Sequence, residues 1–213
     1  MPVRRVPMSY TSVTGRKSLA SGTRAVATES KLEYDFVTLM SFDPDVTEIE
    51  EQPVAIIYDD NGKRRSYTPD FLIKRRAACP ILAEVKPSRF VKGDVKRKLN
   101  AGKRYAATRG WSFQLWTERE IRGPMLKNAQ FLLGYKETTR PPDAVEQILR
   151  TIRHGDARPI CDVVAELWPE DDARAAGLPT LWHLIACRTV FCDLDREIDM
   201  SSAIWLEEGA RDD

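Results

Sequence analysis

Apolar residues fall at helical spacing in some stretches and alternate or cluster at strand spacing in others. Residues 28–40, TESKLEYDFVTLM, place Leu32, Phe36, Leu39 and Met40 on one helical stripe. Thr28 or Ser30 can cap that helix, and Phe42-Asp43-Pro44 closes it. QPVAIIY (52–58) is rich in strand formers, DDNG (59–62) is a hairpin turn signal, and SYTPDFLIKR (66–75) is the partner strand. Pro69 inside that strand marks a bulge or an edge. ILAEVK (81–86) reads as another strand. DVKRKLNAGKRYAATRG (94–110) is an amphipathic helix that faces Val95, Leu99 and Tyr105 or Ala106 inward, with Gly110 as its C-terminal stop. WSFQLWTE (111–118) is a strand again. Helix, three strands, helix and strand in that order predict an α/β fold with a mixed sheet.

The second half reads differently. PMLKNAQFLLGY (124–135) has helical periodicity, and the proline-rich TTRPPDA (138–144) reads as a domain boundary. Three apolar-periodic helices follow, in AVEQILRTI, PICDVVAELW and LPTLWHLIACRTV, and FCDLDREIDMSSAIWL alternates like a short hairpin. Three helices and a hairpin are the order of a winged helix. The first 27 residues are rich in Ser, Thr, Arg and Gly without periodicity. The expected organisation is a flexible basic arm (1–27), an α/β domain (28–138) and a small winged-helix-like domain (141–213).

Composition narrows the class. The chain has 213 residues, 42% of them hydrophobic, enough for a real core. No run approaches the roughly 18 apolar residues of a membrane span, and the basic start lacks the apolar stretch of a secretory signal. Cys79, Cys161, Cys187 and Cys192 show no CxxC spacing, so a reducing compartment is expected rather than a disulfide scaffold or zinc ribbon. The net charge of +1 conceals segregation: residues 29–62 sum to −9, residues 63–109 to +12 and residues 141–213 to −9. A +12 block attracts phosphate whatever the total.

Three acids lie inside that basic block: Asp70, Glu84 and Asp94. Asp70 follows Pro69 at the front of an alternating strand, and Glu84 opens Glu84-Val85-Lys86. Residues i and i+2 of a strand share a face, so Glu84 and Lys86 project together. If the two strands pair, Asp70 lies near Glu84. Two carboxylates about 5 Å apart repel by roughly 3 kcal/mol at an effective dielectric near 20. A partly buried pair therefore calls for a counter-charge, and a hard divalent cation, Mg²⁺ or Mn²⁺, is the natural one. Lys86 then stabilises charge at a reacting phosphate or orients water. Lys92, Lys96, Arg97 and Lys103 are the expected DNA contacts on the basic helix.

Pro-Asp, a gap, then Glu-x-Lys is the PD-(D/E)xK nuclease pattern. SKLEYDF (30–36), FDPDV (42–46), Gln52-Pro53, YTPDFLI (67–73), AEVKP (83–87), and Trp116-Thr117-Glu118 with Ile121-Arg122 together resemble the TnsA-type transposon endonucleases over about residues 28–135. These are strand-cleaving subunits of heteromeric transposases. The resemblance implies a restriction-endonuclease-like sheet flanked by helices. It implies a site of Glu33, Asp70, Glu84 and Lys86, with Asp70 and Glu84 holding the metal. Glu84 stands where the first known members carry Gln, which returns the site to the restriction-enzyme pattern. It further implies cutting of the non-transferred strands at the 5′ ends of the element, in the bacterial cytoplasm, on double-stranded DNA at the nucleoid. A TnsB-like DDE transposase and a TnsC-like AAA+ ATPase would be the partners, the latter on the acidic C-terminal domain.

Two other classes remain open on the residues alone: a stand-alone restriction or repair nuclease, and a non-catalytic DNA-binding scaffold. His154 and His183 lie in no HNH or HExxH setting, and no GxxxxGK[ST] is present. The five tryptophans are spaced as core residues rather than as a base-stacking platform. Gln114 and Glu118 are left outside the predicted site.

Overall fold

The computed structural model describes residues 15–19, 23–137, 140–152 and 156–207. The chain divides into two units, Met1–Gly123 and Pro124–Asp213. In the first, β1 (Gly15–Leu19) and β2 (Thr23–Thr28) pair antiparallel. Part of the expected arm is therefore a ribbon, and Val26 and Thr28 are buried. A stretch poor in apolar residues gives no alternation to read; the rest of that arm lies outside the described residues. Helix α1 (Lys31–Phe42) begins at Ser30, whose side chain accepts from the Glu33 amide, and it buries Leu32, Phe36, Val37 and Leu39.

Strand β3 (Val46–Glu51) was not expected. Acids at 48, 50 and 51 hide it, because an edge strand buries little, here Ile49. Strands β4 (Ile56–Asp60) and β5 (Lys63–Tyr67) form the predicted hairpin. Asn61 and Gly62 hold φ at 54° and 77°, the left-handed turn that Asn-Gly accommodates. The strand expected over 66–75 splits at Thr68-Pro69-Asp70: β5 stays in the hairpin and β6 (Phe71–Arg75) joins the main sheet. Proline has no N–H to continue a ladder.

Strand β7 (Ile81–Val85), helix α2 (Asp94–Thr108), strand β8 (Ser112–Trp116) and helix α3 (Glu118–Ile121) complete the unit. The sheet order is β3-β6-β7-β8; β3–β6 and β6–β7 run antiparallel and β7–β8 parallel. The parallel step requires a crossover, which α2 supplies. Every residue of β7 is buried. On one face Phe36 of α1 packs on Phe71 and Trp116. On the other, Leu72 and Leu82 pack with Tyr67 and with Ala101 and Ala106 of α2. This mixed α/β sheet flanked by helices is restriction-endonuclease-like, as expected.

The second unit contains α4 (Pro124–Lys136), α5 (Pro142–Ile152), β9 (Arg158–Pro159), α6 (Ile160–Leu167), α7 (Asp171–Ala186), β10 (Phe191–Cys192) and β11 (Ala203–Trp205). The short strands order as β10-β11-β9, all antiparallel. The sequence places a boundary at 138–144, whereas the two units divide before α4. Two observations explain that. Helix α4 packs on α7. Asn128 of α4 donates to the carbonyls of Leu194 (3.0 Å) and Arg196 (2.6 Å) and accepts from the Ile198 amide (3.0 Å). His183 contacts the Tyr135 carbonyl through Nδ1 at 2.8 Å; His154 lies outside the described residues. Trp168 and Trp182 are buried, as the spacing suggested. Among the described residues no helix is long and apolar enough to cross a membrane.

Candidate active site

The register of β6 on β7 decides where the two acids meet. Phe71 lies opposite Ala83, so one step back along β6 sets Asp70 opposite Glu84, on the face that α2 covers. Asp70 Oδ2 accepts from the Val85 amide at 2.7 Å, at the end of β7. Its other oxygen makes no hydrogen bond among the described residues. Burial, and next the Glu84 charge, push the Asp70 carboxyl well above the ordinary Asp range.

Glu84 is 2% exposed and has a partner for each oxygen. The Tyr67 hydroxyl donates to Oε2 at 2.8 Å, and Lys98 Nζ sits 2.7 Å from Oε1. The same ammonium lies 4.5 Å from the Tyr67 ring centroid. A buried carboxylate without such partners would be far too costly to keep. The counter-charge the sequence assigned to a metal is thus supplied here by a side chain. Tyr67 is in turn held far towards its protonated form by burial and by the Glu84 charge.

Sequence reasoning missed Lys98, because it took every lysine of α2 as outward-facing. Lys98 lies four residues before Gly102 and seven before Tyr105, on one helical stripe. At Gly102 a Cβ would stand 2.5 Å from the Phe113 ring, so α2 lies close on the sheet there. Lys86 is placed differently. Its amide donates to the Trp116 carbonyl at 2.9 Å, and its half-buried side chain makes no polar contact among the described residues. It does not line the cavity beside Asp70. The loop that follows it is held by Glu118, which accepts from the amide of Ser88 at 2.8 Å and from the Ser88 hydroxyl. Those two bonds pull the Glu118 carboxyl down to about 2.

A cavity of about 400 Å³ opens over Asp70, lined also by Glu33, Gln52, Tyr67 and Lys98. Glu33 reaches it with both oxygens engaged: Oε2 accepts from the Glu29 amide at 2.6 Å and Oε1 from the Ser30 hydroxyl at 3.0 Å. The Glu33 amide donates in turn to Ser30 Oγ, the N-cap bond of α1. SKLE spells that signal in the sequence. Burial raises the Glu33 carboxyl against the pull of those two hydrogen bonds. Lys96, Arg97 and Lys103 on α2, and Lys92 just before it, are exposed. Arg97 is partly committed, its Nε being 2.6 Å from Asp60.

Among the described residues no three of His, Cys, Asp and Glu cluster closely enough to hold a metal. Asp70 and Glu84 remain a donor pair of the right chemistry. Mg²⁺ is commonly bound through one or two carboxylates, with waters and substrate phosphate filling the other positions. The open oxygen of Asp70, facing a polar cavity, fits that mode.

A mixed sheet carrying a Pro-Asp carboxylate opposite a Glu-x-Lys carboxylate defines a PD-(D/E)xK-type endonuclease arrangement. Residues 43–118 match the family model for the N-terminal domain of TnsA-like endonucleases. That match supports an endonuclease subunit of a transposase. It covers Gln52, Asp70, Glu84, Lys86 and Lys98 and begins after Glu33. No curated protein matches the chain.

Proposed function

We propose that the protein is a Mg²⁺-dependent DNA endonuclease subunit of a cut-and-paste transposase, cleaving the non-transferred strands at the 5′ ends of the element. The observation that carries this is the meeting of Asp70 and Glu84 across β6 and β7, with Asp70 lining a polar cavity, in a segment that matches a TnsA-like domain. Asp70 and Glu84 would hold the metal, which supplies an activated water and charge stabilisation at the scissile phosphate. Mn²⁺ would substitute. Lys86, two residues from Glu84, stabilises charge on the phosphate or orients water. Glu33 fixes the cavity wall and enters the site only by giving up part of its capping role. Lys92, Lys96, Arg97 and Lys103 grip phosphates without regard to sequence.

The second unit, acidic and with the order helix, helix, strand, helix, helix, hairpin, is read as a winged-helix-like docking module. A DNA-reading face would be basic, so its partner in this reading is a TnsC-like AAA+ ATPase. A TnsB-like DDE transposase cuts the opposite strands. The test is to mix the purified chain with its transposase partner and end DNA. The wild type should nick the 5′ ends and Asp70→Ala should not. Normal nicking by Asp70→Ala would remove the site assignment. Specific cutting of end DNA by the lone chain would favour an autonomous nuclease.

A further inference from the structure

We propose that Gln52 is a third oxygen donor of this site, presenting its side-chain carbonyl to the divalent cation held by Asp70 and Glu84. The proposal rests on the metal-nuclease reading above. Four observations converge on Gln52. Its Oε1 is buried and has no hydrogen-bond partner among the described residues, a state that native proteins avoid for a polar atom unless something else satisfies it. Its Nε2 donates to Glu29 Oε1 at 3.0 Å, which fixes the amide so that the carbonyl oxygen is the free end. Its side chain lines the same cavity as Asp70 and Lys98. Its backbone holds φ at 46°, in the left-handed region, where Gly or Asn would sit with less strain. Strain of that kind persists where the surrounding structure requires the side chain in place.

The topology gives the placement. Glu51 of β3 lies opposite Phe71 of β6, and the Gln52 amide donates to the Asp70 carbonyl at 2.8 Å. Gln52 and Asp70 are therefore joined just beyond the ends of β3 and β6, and both line the same cavity. Asp70 in turn lies opposite Glu84. Gln52 and Asp70, each one step beyond its strand, and Glu84 of β7 thus follow one another across the sheet. A neutral amide carbonyl is a normal ligand for a hard cation, and it adds no negative charge to a place where two carboxylates already repel. Glu33, the other candidate for a third donor, would add a third negative charge and is engaged at the start of α1; Glu84 is engaged too, by Tyr67 and Lys98, and binds the cation by releasing Lys98.

The experiment is calorimetric titration of the full chain with Mn²⁺, beside thermal melting without metal, for the wild type, Gln52→Asn, Gln52→Met and Asp70→Ala. Asn tolerates the left-handed backbone better than Gln but withdraws the oxygen by one methylene, so Gln52→Asn keeps the fold and loses the donor. Gln52→Met keeps the length and loses both polar atoms. The expected result is Asp70-dependent Mn²⁺ binding in the wild type, weakened about tenfold or more in both Gln52 variants, as losses around a metal site generally are. Gln52→Asn that melts like the wild type and binds Mn²⁺ with the wild-type affinity overturns the proposal, whatever Gln52→Met does. Wild-type protein that shows no Asp70-dependent Mn²⁺ binding overturns the metal-nuclease reading itself, and this proposal falls with it.

Discussion

The two units bury different kinds of polarity. Among the described residues, the first unit encloses, besides three threonines, the acids Asp35 and Glu84, each with a cationic partner: Arg122 Nε lies 3.1 Å from Asp35, and Lys98 lies on Glu84. The second unit encloses Asn128 and Thr180, both neutral. Asn128 has both ends of its amide engaged and pins a loop, which is what a structural polar residue does. Around Asp70 the arrangement is of another kind. Charge is gathered beyond what packing needs, one carboxylate oxygen is left open, and an amide oxygen is left without a partner. Conflict between local physics and stability collects at functional sites. In the proposed reading, that contrast separates a unit organised around chemistry from one organised around packing.

The largest effect that would sharpen the contrast is kinetic. Lys86→Ala should slow single-turnover cleavage at saturating DNA by roughly 10²–10³-fold, as loss of a preorganised charge-stabilising group does. Lys103→Ala, on the exposed face of α2, should weaken binding and leave the saturated rate nearly unchanged. Equal saturated rates for Lys86→Ala and wild type would make Lys86 a bystander.

Next in size is stability within the site. Glu84→Ala leaves the Tyr67 hydroxyl and Lys98 without their shared partner and opens a cavity, so it should destabilise the metal-free protein by on the order of 3 kcal/mol. Lys98→Met should destabilise by about 2 kcal/mol, less because Lys98 is partly exposed, and Mn²⁺ should restore much of it by replacing the lost counter-charge. Lys86→Met should stay within about 0.5 kcal/mol, as for a residue with no partner to lose. Denaturant melts with and without Mn²⁺ decide this. If Lys98→Met and Lys86→Met behave alike, the ion pair on Glu84 has no energetic meaning.

In the second unit the sharper test is packing. A Cβ at Gly177 would stand 2.2 Å from the Trp168 ring, whereas one at Gly134 meets nothing within 4 Å. Both glycines lie in helices, where Ala is intrinsically better by about 1 kcal/mol. Gly134→Ala should therefore stabilise by up to that amount. Gly177→Ala should instead destabilise by about 1–2 kcal/mol, the overpacking penalty exceeding the helix gain. Matching signs for the two in thermal melts would mean that Trp168 does not press on α7.

The fold was legible wherever apolar periodicity or turn chemistry carried it. DDNG spelled its hairpin, and β7 declared itself as an apolar run interrupted by one acid. The β3 strand was hidden because an edge strand of VTEIEE buries chiefly Ile49. Asp70 and Glu84 could be found because an acid inside an apolar strand is an anomaly that asks for a reason. Lys98 and Tyr67 could not be found that way, since a lysine in a basic helix and a tyrosine in a strand are both ordinary. Their roles arise only when α2 and the hairpin come down on one face of the sheet. Gln52 was visible within Gln52-Pro53, but its left-handed backbone and free oxygen are properties of the folded chain alone.

The smallest effect is pH-dependent and separates the two site carboxylates. Among the described residues Asp70 has only the Val85 amide as a direct side-chain partner, and it faces Glu84, Glu33 and, more favourably, Lys98. Burial raises its folded pKa above the unfolded value near 3.9. A carboxyl raised on folding contributes stability that is complete below the unfolded value and is lost as pH rises through the folded one. Metal-free wild type should therefore weaken as pH climbs from about 4 towards neutrality, with Glu33, also raised by burial, adding to the trend. Asp70→Asn keeps an oxygen for the Val85 amide and cannot ionise. It should melt close to the wild type near pH 4 and a few degrees above it near pH 8, the response of about 1 kcal/mol in a chain of this size. Saturating Mn²⁺ should reverse the order at pH 8, because only the wild type has a charged oxygen to offer. A difference between Asp70→Asn and wild type that stays constant or shrinks as pH rises would show that Asp70 is ionised at little cost, with Lys98 compensating it as well as Glu84.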